Sequence, residues 1–127
     1  MRVIYVAHPL GAGVDREQNR RNAAKWCAWV AELGHAPVAD WIILSGEWHE
    51  SPENRERWLS IDRALIYRCD EVWLVGGRIS PGMRYEAEAA RLIGKPVYDL
   101  TTLYGALPPA DVTAQGGGIG TLTRWIP

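Results

Sequence analysis

Two carboxylates stand where the helical pattern calls for apolar side chains. Around Glu86, the residues Met83, Ala90 and Ile93 fall at −3, +4 and +7, so one stripe of a helix holds all four. Glu88 makes the contrast: Arg84 lies four residues before it and Arg91 three after, the spacing of a solvated ion-pair face. Asp62 repeats the anomaly, with Trp58, Leu65 and Cys69 at −4, +3 and +7. An acid on an inward stripe is either a boundary group reaching solvent or an arginine, or a desolvated carboxylate beside a pocket. The second is what a nucleophile or general base requires. Position alone leaves both readings of Glu86 open. For Asp62 function stands slightly ahead, because Arg55 and Arg63 point elsewhere on the wheel. Two carboxylates converging on one pocket suit cleavage of a glycosidic bond. One attacks or stabilises the oxocarbenium-like centre, and the other handles the proton of the leaving group.

Other chemistry-bearing residues give weaker signals. His8, His35 and His49 lack metal-ligand spacing, and Cys27 and Cys69 form no C-x-x-C, so no metal site is expected. His8 follows an apolar run at the position where ligand-binding residues of parallel sheets collect. Arg16, Arg20, Arg21 and Lys25 form a basic helix side, ordinarily a solvated face, from which one residue could reach a phosphate. Asp70 reads as a turn residue. The run Gly116-Gly117-Gly118 is followed by no Gly-Lys-Ser/Thr and is no P-loop.

Strands must alternate with helices to position these groups. Val3-Ile4-Tyr5-Val6-Ala7 reads as a strand buried on both faces, ended by the turn chemistry of His8 to Gly13. A helix is expected from about Glu17 to Leu33, stopped by Gly34. Pro37 to Leu44 reads as a second strand, Ser45 to Asn54 as a loop over the domain, and Asn54 to Arg68 as a second helix. Glu71 to Val75 is a third strand, ended by Gly76-Gly77. A third helix is capped by Ser80, has Pro81 in its first position and ends at Gly94; Lys95 to Leu100 is a fourth strand. This alternation predicts an α/β fold, a single-domain Rossmann-like (flavodoxin-like) open parallel sheet with helices on both faces. That domain is expected to span 1–104. A Gly/Pro-rich C-terminal arm, 105–127, follows, and its final residues with Leu122, Trp125 and Ile126 could dock on a neighbouring subunit.

The 127 residues suit one domain, and a formal net charge of −1 excludes the basic footprint of a nucleic-acid binder. No apolar run approaches membrane-spanning length, and Met1-Arg2 leads directly into the first strand with no secretory signal pattern, so a cytoplasmic location is expected. Two cysteines are too few for a disulfide framework and read as reduced core residues. Seven tryptophans with no phenylalanine are unusual, and composition cannot sort core from pocket or interface.

Taken together, these segments resemble the nucleoside 2-deoxyribosyltransferase superfamily, which includes 2′-deoxynucleoside 5′-phosphate N-hydrolases, over roughly residues 1 to 100. Ile4-Tyr5-Val6-Ala7-His8-Pro9-Leu10 is similar to the family's first strand and loop. Asp62, eight residues before Asp70, matches its helix aspartate, and Ser80-Pro81-Gly82-Met83-Arg84-Tyr85-Glu86 its approach to the catalytic glutamate. The resemblance implies that Glu86 attacks C1′ of a sugar, that Asp62 protonates or acts near the departing base, and that Tyr5 orients Glu86. It implies a nucleoside or nucleotide as small-molecule partner, no cofactor, and a homodimer or larger homo-oligomer. His8, Pro9, Ser80, Gly82, Met83 and Trp41 are expected to bind the substrate. Six residues before the nucleophile, family transferases carry an aspartate for the sugar 5′-hydroxyl, whereas the nucleotide hydrolases carry a serine facing a 5′-phosphate. Ser80 therefore tilts the expectation toward a nucleotide, since a hydroxyl at a helix N-terminus can donate to phosphate where an aspartate would repel it. The His8-Pro9 loop departs from the Gly-Ser-type loop of those hydrolases, and the glycine-rich tail has no counterpart. A non-catalytic nucleotide-binding sensor or sponge with the same fold is the alternative; it has little use for two desolvated acids.

Overall fold

The apolar segments Val3–Ala7 and Glu71–Leu74 can bury both faces only between two layers of helix, and this dictates the architecture. The computed structural model describes residues 1–11 and 14–110. In chain order the elements are β1 (Val3–Ala7), α1 (Val14–Glu32), β2 (Ala36–Val38), α2 (Asp40–Glu47), α3 (Pro52–Arg68), β3 (Glu71–Leu74), α4 (Pro81–Leu92) and β4 (Val97–Asp99). The four strands form one parallel sheet in the order β2-β1-β3-β4, as expected for a flavodoxin-like fold. The register pairs Tyr5 with Val38 on one side and with Val72 on the other, which puts β1 at the centre.

Alternation along the strands divides the core. Ile4, Val6, Trp73 and Val75 face α1 and meet Trp26, Trp29, Val30 and Leu33. Tyr5, Ala7, Val72 and Leu74 face the other way and meet Ile66, Met83, Ala87 and Ala90 of α3 and α4. The tryptophans sort accordingly. Trp26, Trp29 and Trp73 are core, with the Trp26 and Trp29 rings edge to face at 5.3 Å, whereas Trp41 and Trp58 are buried toward the opposite side. Both cysteines are free thiols. No helix among the described residues is long and apolar enough to cross a membrane.

One element differs from the sequence expectation. Pro37 to Leu44 is not a single strand: β2 stops at Val38, and Asp40–Glu47 is a helix. A run of four apolar residues fits a strand or a short helix equally, and here the i, i+4 pair Trp41 and Ser45 turns inward while Ile43 faces solvent. Trp41 Nε1–H donates to the Val6 carbonyl at 3.1 Å, fixing α2 over the carboxyl end of β1. The expected loop 45–54 shrinks accordingly, since α2 runs to Glu47 and α3 opens at Pro52 behind the N-cap Ser51. Of the expected arm, Ala106 accepts a hydrogen bond from Trp26 Nε1 at 2.9 Å; residues 111–127, including the glycine run and Trp125, lie outside the described residues.

Candidate active site

The carboxyl ends of β1 and β3 open beneath α2, α3 and α4, and a cavity of about 400 Å³ occupies this space. That size is in the range of small-molecule sites. α4 reaches it because Ser80 accepts from the Met83 N–H at 3.2 Å as N-cap, with Pro81 next in line. Its second turn then delivers Glu86 inward beside Met83 and Ala90, while Ile93 at the C-cap lies past the helix and is half exposed. Glu88 is exposed and forms no ion pair with Arg84 or Arg91 among the described residues. On α3, Asp62 is buried with Trp58 and Ile66.

Glu86 and Asp62 meet at this cavity, only 8% and 7% exposed. Tyr5, wholly buried on β1, donates its hydroxyl to Glu86 Oε2 from beneath. Burial pushes the Glu86 carboxyl well up, and the neighbouring Asp62 charge adds to it. Burial likewise carries Asp62 from 3.8 to about 7, with Asp40 adding to the rise. Two buried acids that act on one another titrate as a pair rather than singly. The Tyr5 hydroxyl, itself pushed well up by burial, stays a donor, and its hydrogen bonding opposes the rise of both carboxyls. Asp62 Oδ1 has no hydrogen-bond partner.

Burial alone does not make a site, as Glu71 shows. It is 1% exposed at the start of β3, at the opposite end of the sheet, yet it accepts from Arg2 at 2.6 Å and from Trp73 Nε1 at 2.8 Å. Both its oxygens are satisfied, whereas Asp62 Oδ1 is not.

Of the expected substrate-binding residues, His8, Trp41, Ser80, Gly82 and Met83 line the cavity. Pro9 does not; it is buried behind the wall, and its carbonyl accepts from His8 Nδ1 at 2.6 Å. A carbonyl can only accept, so the hydrogen sits on Nδ1. Burial lowers the His8 pKa, and the ring is neutral at neutral pH. It lies nearly parallel to Trp41, with centroids 6.2 Å apart. Gly76, at φ +104°, makes room for it: a Cβ there would fall 2.6 Å from the ring.

Several lining residues were not singled out as site residues from the sequence. Arg78 reaches the wall beside Ser80 and makes no ion pair among the described residues. Arg55 also lines the cavity, but it pairs with Glu50 at 3.0 Å. Arg16, from the basic side of α1, binds the same Glu50 at 3.1 Å and lies over the Trp58 ring at 5.6 Å. The most consequential omission is Asp40. Its residue was expected inside a strand, but at the start of α2 it acts on Tyr5, Asp62 and Glu86 together. Groups of three or more His, Cys, Asp or Glu able to hold a metal ion are absent among the described residues.

One solved structure agrees with this architecture. The 2-deoxyribosyltransferase of the psychrotolerant bacterium Bacillus psychrosaccharolyticus superposes with a TM-score of 0.56 at 23% identity, over 78% of this chain and 73% of that one. It shares the expected α/β fold. A CMP N-glycosidase of Clostridium botulinum superposes at 0.49 and 16% identity, over 84% of this chain and 86% of that one. No curated protein matches the sequence. A family model does, described as a domain of unknown function, DUF7768, and it covers residues 2–100, from the first strand through all three site acids to Leu100. The chain belongs to the DUF7768 family.

Proposed function

We propose that the chain cleaves or transfers the N-glycosidic bond of a nucleoside or nucleoside 5′-monophosphate through a glycosyl-enzyme intermediate on Glu86. The observation that carries this reading is the juxtaposition of two desolvated acids in one cavity, with a tyrosine hydroxyl donated to Glu86. A Glu86 oxygen attacks C1′ as the C1′–N bond breaks. The bond electrons leave with the base, and the proton of Asp62 neutralises it. Water or a second base then attacks C1′, Asp62 takes up the proton released, and the Glu86–C1′ bond breaks. Tyr5 holds the Glu86 carboxylate in line and disperses its charge whenever it is free.

A 5′-phosphate suits the wall that carries Ser80 and Arg78. The Ser80 hydroxyl accepts from Met83 N–H and so keeps its own hydrogen for a ligand, at a helix N-terminus that favours anions. Arg78 supplies a cation with no other partner among the described residues.

The test is incubation with deoxy- and ribonucleotides and their nucleosides, with free base followed chromatographically. Wild type releases base and Glu86→Ala does not; tight binding without release would turn the reading to a sensor. Ser80→Asp lowers action on 5′-phosphates relative to nucleosides, and an unchanged ratio removes Ser80 from phosphate recognition.

A further inference from the structure

Two tryptophans line the cavity, and their indole N–H groups differ. That of Trp41 is spent on the Val6 carbonyl at 3.1 Å. That of Trp58 is shut off from solvent and meets no hydrogen-bond acceptor among the described residues. Trp29 also keeps an unpartnered N–H, but it lies across the sheet among the rings of Trp26, Trp73 and Tyr104. A buried indole N–H ordinarily finds a partner, and leaving it without one costs stability. At Trp58 that cost falls on the wall of a space large enough for a small molecule.

The ring is held in one orientation by its neighbours. The Arg16 guanidinium lies over it, 5.6 Å from the centroid, and the Trp48 ring packs against it at 5.8 Å with a tilt of 37°. Arg16 is fixed in turn, by Nη1 to Glu50 at 3.1 Å and by Nη2 to the Ser45 carbonyl at 3.0 Å. So this part of the basic side of α1, expected to be a solvated face, is used to seat an indole. A donor already locked in place loses little freedom when a ligand arrives.

Its place on α3 says which part of a ligand it meets. Trp58 and Asp62 are one turn apart on the buried face of α3, with about 5–6 Å between their Cβ atoms. The reaction proposed above gives Asp62 the departing base. The residues suited to a 5′-phosphate, Arg78 and Ser80, lie instead on the connection from β3 into α4. An indole N–H can only donate, so the atom that satisfies it is an acceptor.

We propose that Trp58 is a base-binding residue whose Nε1–H donates to a carbonyl oxygen or an unprotonated ring nitrogen of the leaving base. Such an atom is conjugated with the glycosidic nitrogen. The same hydrogen bond therefore draws off part of the charge that collects on the base as the C1′–N bond breaks. The inference rests on the reaction proposed above, and its first test needs no turnover.

The measurement is nitrogen-15 NMR of the indole N–H groups in Glu86→Gln, which keeps ligands intact, titrated with the four deoxynucleoside 5′-monophosphates and with 2-deoxyribose 5-phosphate. The Trp58 resonance is assigned by Trp58→Phe, or by its contacts to Arg16 if that variant does not fold. With at least one nucleotide the Trp58 indole proton moves downfield and exchanges more slowly with water. Trp58→Phe binds that nucleotide about 3- to 10-fold more weakly, the share of one hydrogen bond, and binds 2-deoxyribose 5-phosphate unchanged. A Trp58 resonance that stays in place while a nucleotide binds overturns the proposal, as does the failure of all four to bind. An equal response to 2-deoxyribose 5-phosphate overturns the assignment to the base. If Trp58 responds as expected but wild type releases no base, the proposed reaction fails and the base contact stands. If wild type releases base while Trp58 is silent, the reaction stands and this contact fails.

Discussion

Replacing Asp62, the proposed general acid, should make the protein more tolerant of alkaline pH. Asp62 titrates at 3.8 when solvated and at about 7 when folded, chiefly through burial. Its folded value is the higher one, so between those values the unfolded chain holds fewer protons than the native state. The stabilising contribution is present below the unfolded value and lost as pH rises through the folded one. For a single group with these values, the loss between pH 5 and pH 8 is about 2–3 kcal/mol. Asp62→Asn has no such group, and it relieves Glu86 as well, because the Asp62 charge is the leading charge that raises Glu86. Packing costs of the amide are the same at both pH values and cancel in the comparison. The assay is urea denaturation of both proteins at pH 5 and pH 8. With an m-value of about 1.5 kcal/mol/M, the wild-type midpoint drops about 1–2 M further than that of the variant. Parallel pH dependences would refute the reasoning, since they would mean that Asp62 is no harder to ionise in the fold than in water.

Tyr5→Phe removes a charge-assisted hydrogen bond to Glu86, so kcat falls about 10- to 100-fold with little change in KM, measured by initial rates of base release. Because Glu86 loses a donor that favours its charge, the acidic limb of the same profile moves to higher pH. Gly76→Ala forces a Cβ onto the His8 ring at φ +104° and costs about 1–3 kcal/mol in chemical denaturation, with weaker nucleotide binding by calorimetry. Cys69, buried and pushed up to about 11 chiefly by that burial, reacts with an aromatic disulfide reagent at pH 8 only at the rate of unfolding. Rapid modification of Cys69 in the native protein would contradict that.

Much of this site was legible because helices write burial into sequence at a fixed period. Glu86 and Asp62 stood out against their own stripes, and the structure turns both inward. The period fails at helix ends, which is why Ile93, in phase with Glu86 but at the C-cap, lies half exposed. It is also silent where an apolar run is short: Trp41 to Leu44 fits a strand or a helix, and only the bond from Trp41 to the Val6 carbonyl decides. That ambiguity concealed Asp40, which looked like a strand residue and is the first residue of α2. Arg78 and Glu50 escaped for another reason. They lie in connections with no period, and only the folded sheet brings them to the same wall. Tyr5 has no anomaly of its own, being one buried residue in an apolar strand; its role came from resemblance, and its partner is 81 residues away.

The tryptophans carry a practical consequence. Trp41 and Trp58 line the cavity, whereas Trp26, Trp29 and Trp73 lie across the sheet in the other core. The chain thus contains its own optical probe and its own internal reference. A base stacking in the cavity should quench the first pair and leave the emission of the second group unchanged. Loss of the near-ultraviolet signal of the edge-to-face Trp26–Trp29 pair would report unfolding instead. Ligand occupancy and fold integrity are therefore separable in one unlabelled sample.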